Sequence, residues 1–394
     1  MSDRVPRVAF VNVAFLGHAA MDEAMQEVAR HLPIDAAHIN LSASLTIRDR
    51  LIRRALSVRA FPTTGPYANL DLRRWRQELN IGLLARRRLA AAERGGRFDL
   101  LHFHTQSAAY ASLGRMERTP SIVSIDATSR LASAEMTSPA SRRSYRPNIA
   151  HDAAVFQRAG AIVATSDWAA RDLAALQPEC ADRIHVLPYP IRDVFDEAWP
   201  AARAARARRT SAPPVRLLFM GGDFVRKGGV ELIDAWRESG LADRATLDIA
   251  TDWPIPSRTL ADGVRVVRGV RRNDAVWIDL WRDADVFVMP SRHEAFGIVF
   301  QEAAAAGVPA IGTNVNAVPE IIRDDETGLI VPPGDRGALV SAMRTLVDSA
   351  DLRARLGAAA RARVRTRAFP AAYAAKLETI IDDVLDRRDR SQSA

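Results

Sequence analysis

The chain has 394 residues, 48% apolar and 26% charged, which is enough for two or three packed domains and excludes a fibrous or disordered protein. Its single cysteine, Cys180, excludes an intramolecular disulfide framework and a multi-cysteine metal cluster. The formal charge of +8 arises from 55 basic and 47 acidic residues, but Lys227 and Lys376 are the only lysines, so an arginine-biased composition explains the high pI without a nucleic-acid partner, and none is expected.

In chain order, the first apolar stretch is Val8–Phe15, eight residues with Asn12 inside them, preceded by Arg4 and Arg7. It is too short for a secretory signal and reads as a buried strand. No window approaches the roughly 18 uninterrupted apolar residues of a membrane span, so the expectation is a soluble, cytoplasmic protein. A helical pattern follows at Asp22–Leu32. The next stretch, Arg48–Arg97, carries thirteen arginines against Asp49, Asp71, Glu78 and Glu93, a local +9 that accounts for the whole charge excess. Leu51, Ile52, Leu56, Val58 and Phe61, then Trp75, Leu79, Leu83 and Leu84, are interleaved with them, and a helix is expected over Leu72–Ala92. The simplest reading is a solvated helical face. The sharper one is peripheral contact with an anionic membrane at its inner face, or with a phosphate-bearing lipid, through a basic amphipathic helix.

Further strands are expected at Leu100–His104, Ile122–Ile125, Ala161–Thr165 and Ile184–Leu187, with a helix at Trp168–Ala175. Asp196–Pro214 is an Ala- and Arg-rich run ending Ser211-Ala212-Pro213-Pro214, without strand pattern, and reads as a linker. A fresh series begins at Val215–Met220 and continues with Thr246–Ala250, Val264–Val267, Val286–Met289, Ala310–Thr313 and Leu329–Val331. Helical patterns at Val230–Glu238, Phe300–Ala306 and Ala338–Val347 fill the gaps. Strands apolar on both faces, alternating with helices, predict parallel sheets covered on both sides. The organisation expected is therefore α/β: a Rossmann-like domain over 1–195, a linker over 196–214, a second over 215–370, and a final helix over 371–390 that either completes the second domain or crosses back to the first. Ligands bind such sheets outside the carboxyl ends of the strands, so with two sheets facing a central cleft the chemistry belongs in the turns that follow strands.

The most informative turn follows the expected Val286–Met289 strand. After Pro290-Ser291-Arg292-His293 comes Glu294, then Ala295-Phe296-Gly297-Ile298, and then a helix carrying Glu302. Free amides at a helix start can hold a diphosphate, here through Phe296, Gly297 and Ile298. Two carboxylates eight residues apart lie at most about 12 Å apart along a helix axis, a spacing suited to hydroxyls on either side of that diphosphate. Arg226-Lys227, flanked by Gly221-Gly222 and Gly228-Gly229, supplies two cations in the turn after another strand, able to neutralise a leaving diphosphate without a metal.

These residues resemble the retaining GT-B glycosyltransferases of family 4, the glycosyl transferases group 1. The match is Glu294-x7-Glu302, continued by Ala303–Gly307, Val308-Pro309, Val318-Pro319-Glu320 and Thr327-Gly328 through Gly334-Asp335, together with the glycine-flanked Arg226-Lys227. The resemblance spans nearly all of 215–345; the first half matches in outline. It implies a nucleotide diphosphate sugar as donor substrate, no cofactor or metal, a glycan, lipid or small-molecule acceptor, and retention of anomeric configuration. It further implies that Glu294 contacts the donor sugar and Glu302 the ribose. By the same resemblance His104, ending Asp99-Leu100-Leu101-His102-Phe103-His104, stands beside the reacting sugar, and Gly17, before His18, belongs to a loop near the diphosphate. Arginine and lysine are commonly about five residues apart in this family, whereas here they are adjacent and Asp223 occupies the neighbourhood of the usual arginine. Asp126 is a weaker candidate for the first domain.

Two other signals carry less. Asp283-Ala284-Asp285 fits an Asp-x-Asp metal site, but it leads directly into a strand, where helix-end and strand-start roles suffice. Gly-x-Gly-x-x-Gly is absent, so a dinucleotide oxidoreductase has no fingerprint, and no His/Cys spacing suggests a metal. The alternatives to a transferase are a sugar-nucleotide epimerase or hydrolase on the same architecture, and an idle nucleotide-sugar-binding protein.

Overall fold

The computed structural model describes residues 4–13, 19–43, 45–59, 61, 72–136, 138–195, 199 and 214–393. Of the expected linker, residues 196–198, 200 and 201–213 lie outside them, as do Gly17 and His18. The chain divides into two compact units, one comprising Met1–Arg192 and Pro370–Ala394, the other Asp193–Phe369.

The first unit is built on six parallel strands, β1 (Arg7–Asn12), β2 (Asp35–Asn40), β3 (Leu100–His104), β4 (Ser121–Ile125), β5 (Ala161–Ala164) and β6 (Ile184–Val186). They run in the order β2-β1-β3-β4-β5-β6. Val8, Ala9, Val11, Leu101, Phe103, Val123 and Ile162 are completely buried, as a sheet covered on both faces requires. β2 escaped the sequence reading because its residues, Asp-Ala-Ala-His-Ile-Asn, lack a branched apolar run; it is an edge strand and mostly half-buried, so little apolar content is demanded of it. The Pro370–Ser393 helix belongs to this unit. Tyr373, Leu377, Ile380 and Ile381 are buried, the helix packs beside Ala19–Ala29, and Val384 sits over Gly160, where an added Cβ would lie 2.9 Å from Val384 Cγ1.

The second unit holds β7 (Val215–Met220), β8 (Ala245–Ala250), β9 (Val264–Val267), β10 (Val286–Val288), β11 (Ala310–Thr313) and β12 (Gly328–Val331), all parallel, in the order β12-β11-β10-β7-β8-β9. The α/β reading of two doubly wound parallel sheets is thus the observed architecture. Trp236, Trp281, Phe219, Phe287 and Phe300 form its large buried side chains, with the Phe287 and Phe300 rings 5.6 Å apart.

Sheet order decides where a ligand can sit. In the second unit the order reverses between β7 and β10, so helices depart to opposite faces and leave a crevice at the carboxyl ends of those two strands. The turn after β7 carries Arg226-Lys227 and the turn after β10 carries Glu294. In the first unit the reversal falls between β1 and β3, and β3 ends at His104.

Candidate active site

The β7 turn is shaped by glycines whose absent side chains make space for specific neighbours. Gly228 has φ +76° and starts the Gly229–Ser239 helix; a Cβ on it would lie 2.0 Å from the Pro290 carbonyl oxygen. The β7 and β10 turns therefore touch backbone to backbone, and the Arg292 amide donates to the Arg226 carbonyl at 2.9 Å. Gly221 makes room in another way, since a Cβ there would sit 2.4 Å from Lys227 Cδ. The lysine stem runs across that bare backbone and delivers its ammonium toward the β10 turn.

There Lys227 Nζ donates to Glu294 Oε2 at 3.2 Å and approaches Met289 Sδ at 3.6 Å. Arg226 Nη1 stands 3.8 Å from the same carboxylate oxygen and donates to the His293 carbonyl at 2.6 Å. The two cations are not equivalent. The Lys227 side chain is 16% exposed and Arg226 39%, and Asp223 accepts from Arg226 Nε at 3.1 Å. Lys227 is the inner cation; Arg226 lies on the rim and is already partly neutralised. Asp223 thus acts as the partner of Arg226.

Gly297, at φ +91°, caps the Ile298–Ala305 helix and, lacking a side chain, makes no side-chain cap hydrogen bond. A Cβ on Gly297 would meet Phe300 Cδ2 at 2.8 Å and Glu294 Cγ at 3.1 Å, so a larger residue would displace the carboxylate. A positive helix end beside Lys227 is a favourable place for an anion.

One turn into that helix, Glu302 is buried. Burial raises its pKa, opposed by the charges of Arg272 and Lys227 and by a hydrogen bond from the Trp277 side chain. Arg272 Nε is 3.2 Å from Glu302 Oε1, near enough for an ion pair but not aligned as a hydrogen bond. Glu302, Arg272 and Trp277 line a cavity of about 270 Å³ together with Gly221, Gly222 and Asp252. Arg226, Lys227, Glu294, Phe296, Gly297, Ile298 and Glu302 are therefore gathered at one switch point, with Lys227 acting on both carboxylates. Arg272 and Trp277 were missed by the sequence reading. The available signal was Arg271-Arg272-Asn273 just ahead of Asp274, whose side chain caps the Ala275–Asp283 helix by accepting from the Trp277 amide at 2.7 Å.

In the first unit, His104 is buried at the end of β3 with its ring 5.5 Å from that of Tyr189. Burial, and then the charge of Asp126, push the Tyr189 phenol well above its ordinary range. His104, Asp126 and Tyr189 form a second cluster, in which Tyr189 had not been anticipated. Thr105 follows His104 at φ +79°, a strained conformation for a branched residue, held by its amide donating to the Ser124 carbonyl at 3.0 Å and by a 2.8 Å contact between its hydroxyl and that of Ser107. His102 has a different role: burial lowers its pKa to about 4, and Nε2 lies 2.7 Å from the Ser124 hydroxyl. Asp283 and Asp285 are both engaged by Arg216, through its guanidinium and its amide respectively.

Comparison with known proteins bears on the family and the fold. Residues 211–363 match the family model Glycosyl transferases group 1, and residues 49–193 match Glycosyltransferase Family 4. The chain is 29% identical to a D-inositol 3-phosphate glycosyltransferase of Xylanimonas cellulosilytica over 335 residues, 80% of this chain and 79% of that one. It is 34% identical to a glycogen synthase of Mycobacterium tuberculosis over 182 residues, 44% of this chain and 43% of the relative. Among solved structures, a sucrose-phosphate synthase of Thermosynechococcus elongatus superposes with a TM-score of 0.69 at 17% identity, covering 98% of this chain and 100% of that one. Anabaena Alr3699/HepE in complex with UDP and glucose superposes with a TM-score of 0.66 at 15% identity, covering 96% and 99%. These structural likenesses concern the fold.

Proposed function

We propose how this protein works from one premise: the chain belongs to the GT-B glycosyltransferases of group 1, family 4. It transfers a sugar from a nucleotide sugar. Our proposal concerns the residues, the stereochemistry and the acceptor side. The second unit binds the donor. Lys227, the amides of Phe296, Gly297 and Ile298, and Arg226 at the rim receive the diphosphate; Glu294 takes hydroxyls of the sugar; Glu302, steadied by Arg272 and Trp277, takes the ribose. The observation that carries this reading is the single constellation in which Lys227 meets Glu294 at 3.2 Å beside a helix start that has no side-chain cap.

The reaction breaks the bond between the anomeric carbon and the phosphate oxygen. The leaving diphosphate gains negative charge, which prearranged cations and amides stabilise more in the transition state than in the ground state. The acceptor hydroxyl attacks from the face the diphosphate leaves, its proton passing to the departing phosphate oxygen, and configuration is retained. No carboxylate is assigned as a nucleophile. His104, in the first unit with the acceptor, positions the sugar or relays the proton.

The test is thermal stabilisation of the full chain by uridine, guanosine, adenosine and thymidine diphosphates and their sugars, uridine first because UDP is what Alr3699/HepE holds. One nucleotide at a hundredfold excess over its Kd should add about 2.7 kcal/mol. No stabilisation by any of them would remove the donor reading, and stable binding without turnover, with acceptors supplied, would favour an idle binding protein. Release of free sugar without acceptor would favour a hydrolase.

A membrane contact has its own support. No helix among the described residues is long and apolar enough to cross a bilayer. The Ile47–Leu56 helix, however, turns Ile47, Leu51 and, just beyond its end, Val58 outward at 75%, 62% and 60% exposure, on one face by helical spacing, flanked by Arg48, Arg50 and Arg54. An apolar ridge between arginines suits an anionic lipid surface. The chain should float with phosphatidylglycerol vesicles and not with phosphatidylcholine; equal behaviour on both would end this reading.

A further inference from the structure

Behind the turns that carry His104 and Asp126 lies a further carboxylate. Asp152, on the Arg146–Arg158 helix, is completely buried. Among the described residues no ion pair reaches it, and the nearby Arg74 donates instead to Glu78 Oε1 at 2.7 Å. Burial raises its pKa to about 6, opposed by hydrogen bonds from Tyr110 and Ser129 and reinforced by the charge of Glu78. A buried acid without a cation is costly to keep, and where packing alone is at stake an apolar side chain serves better.

The groups it holds account for its presence. Oδ2 accepts from the amide of Ser129, three residues past Asp126, at 2.7 Å. Oδ1 accepts from the Tyr110 hydroxyl at 2.6 Å. Gln106, two residues past His104, places Nε2 3.4 Å from Oδ2 and donates to the Ala127 carbonyl at 3.1 Å. The turn after β3, with Gln106 and Tyr110, and the turn after β4, with Ala127 and Ser129, are therefore tied to each other and to one carboxylate. Between His104 and Gln106 stands Thr105 at φ +79°, a conformation that persists only where its surroundings hold it. The Arg73–Ala92 helix presses on the same turn from the other side, since a Cβ on Gly82 would lie 3.0 Å from the Ser107 carbonyl oxygen. Releasing the grip of Asp152 gives the strain beside His104 a way to relax.

We infer that Asp152 is a positioning residue: by gripping the Ser129 amide and the Gln106–Tyr110 turn, it sets where His104 and Asp126 stand. Only the consequence for turnover rests on the transferase reading; the grip stands on contacts within the first unit. Its two acceptor oxygens matter here, and its charge does not.

Three variants of the full chain test this. D152A removes both acceptors. S129P removes the amide from the other side and keeps the Ser129–Ala134 helix, because proline suits a first helical position and Thr128, at φ −77° and ψ 158°, already has the extended backbone that a following proline requires. D152N keeps an acceptor for Ser129, and Tyr110 can turn its proton to Glu78 Oε2 or to the Asn148 carbonyl, each 3.3 Å away. Imidazole NMR, with His104 identified among the eight histidines by H104Q, reads position directly. In D152A and S129P the His104 signals should shift while those of His38 and His185 stay; in D152N all should stay near the parent's. Turnover of UDP-glucose, or of whichever sugar nucleotide stabilises the chain best, should fall about tenfold to a hundredfold in D152A and S129P and little in D152N, with UDP affinity the same in every protein. Unmoved His104 signals in D152A and S129P, or D152N behaving like D152A, would overturn the assignment. His104 signals that move while turnover keeps the parent's rate, or in a chain that binds no nucleotide, would instead refute the transferase role of His104 and leave Asp152 as the mount of the two turns.

Discussion

Glu294→Gln is expected to lower turnover by about 10³-fold, close to 4 kcal/mol of transition-state stabilisation, while a bare nucleoside diphosphate binds at least as tightly as before. The two halves of this result have one cause. Glu294 carries a negative charge 3.2 Å from Lys227 and 3.8 Å from Arg226. On the proposed roles, that charge offsets in the resting chain the cations meant for the diphosphate, and in the reacting complex it would face the sugar, where positive charge develops at the anomeric carbon as the leaving group departs. Glutamine keeps the shape, and so respects the close packing of the Glu294 stem against Gly297, but supplies neither the charge nor the same acceptor strength. Freed of their partner, Lys227 and Arg226 attract the diphosphate more strongly. Unchanged turnover would remove Glu294 from the reacting end of the donor, and a large loss of nucleotide affinity would show the carboxylate to be a scaffold for the cations. Steady-state kinetics with calorimetry separates the cases.

Lys227→Met should have the second large effect, and on both quantities: nucleoside diphosphate affinity falls by about 10²-fold and turnover by about 10² to 10³. Methionine retains an unbranched stem to run over Gly221, so packing is conserved and charge is what is lost. Two acids feel the change, because Lys227 neutralises Glu294 directly and lowers the pKa of the buried Glu302. Arg226→Gln should cost much less, since Arg226 is more exposed, shares its charge with Asp223, and reaches the site from its rim. The order of the two is the sharper part of the prediction. Equal losses, or a greater loss for Arg226, would reverse the assignment of inner and outer cation.

Much of this was readable from residues alone where the signal is local. Val215–Met220 and Ala310–Thr313 are apolar runs between helical patterns, and the strands coincide with them. Glu294, Gly297 and Glu302 lie within nine residues, so one turn and the helix it starts bring them together. Edge strand β2 lacked the composition that marks a buried strand, and the Ile47–Leu56 helix was hidden by its arginines, although Thr46 and Asp49 form the capping box that announces its start. What could not be read depends on contacts between distant residues. Arg272 meets Glu302 across thirty positions and His104 meets Tyr189 across eighty-five; only the sheet order makes them neighbours. The arginine-rich stretch was visible as charge, but its outward apolar ridge follows from helix phase.

The account stands on the seat of the diphosphate, and a crystal structure of the chain with uridine diphosphate, or whichever nucleotide stabilises it best, tests that directly. The predicted result has phosphate oxygens within hydrogen-bonding distance of Lys227 Nζ and of amides at the start of the Ile298–Ala305 helix, with the ribose on Glu302 in the cavity shared with Arg272. A nucleotide bound in the second unit with its phosphates away from Lys227 and that helix start would contradict it.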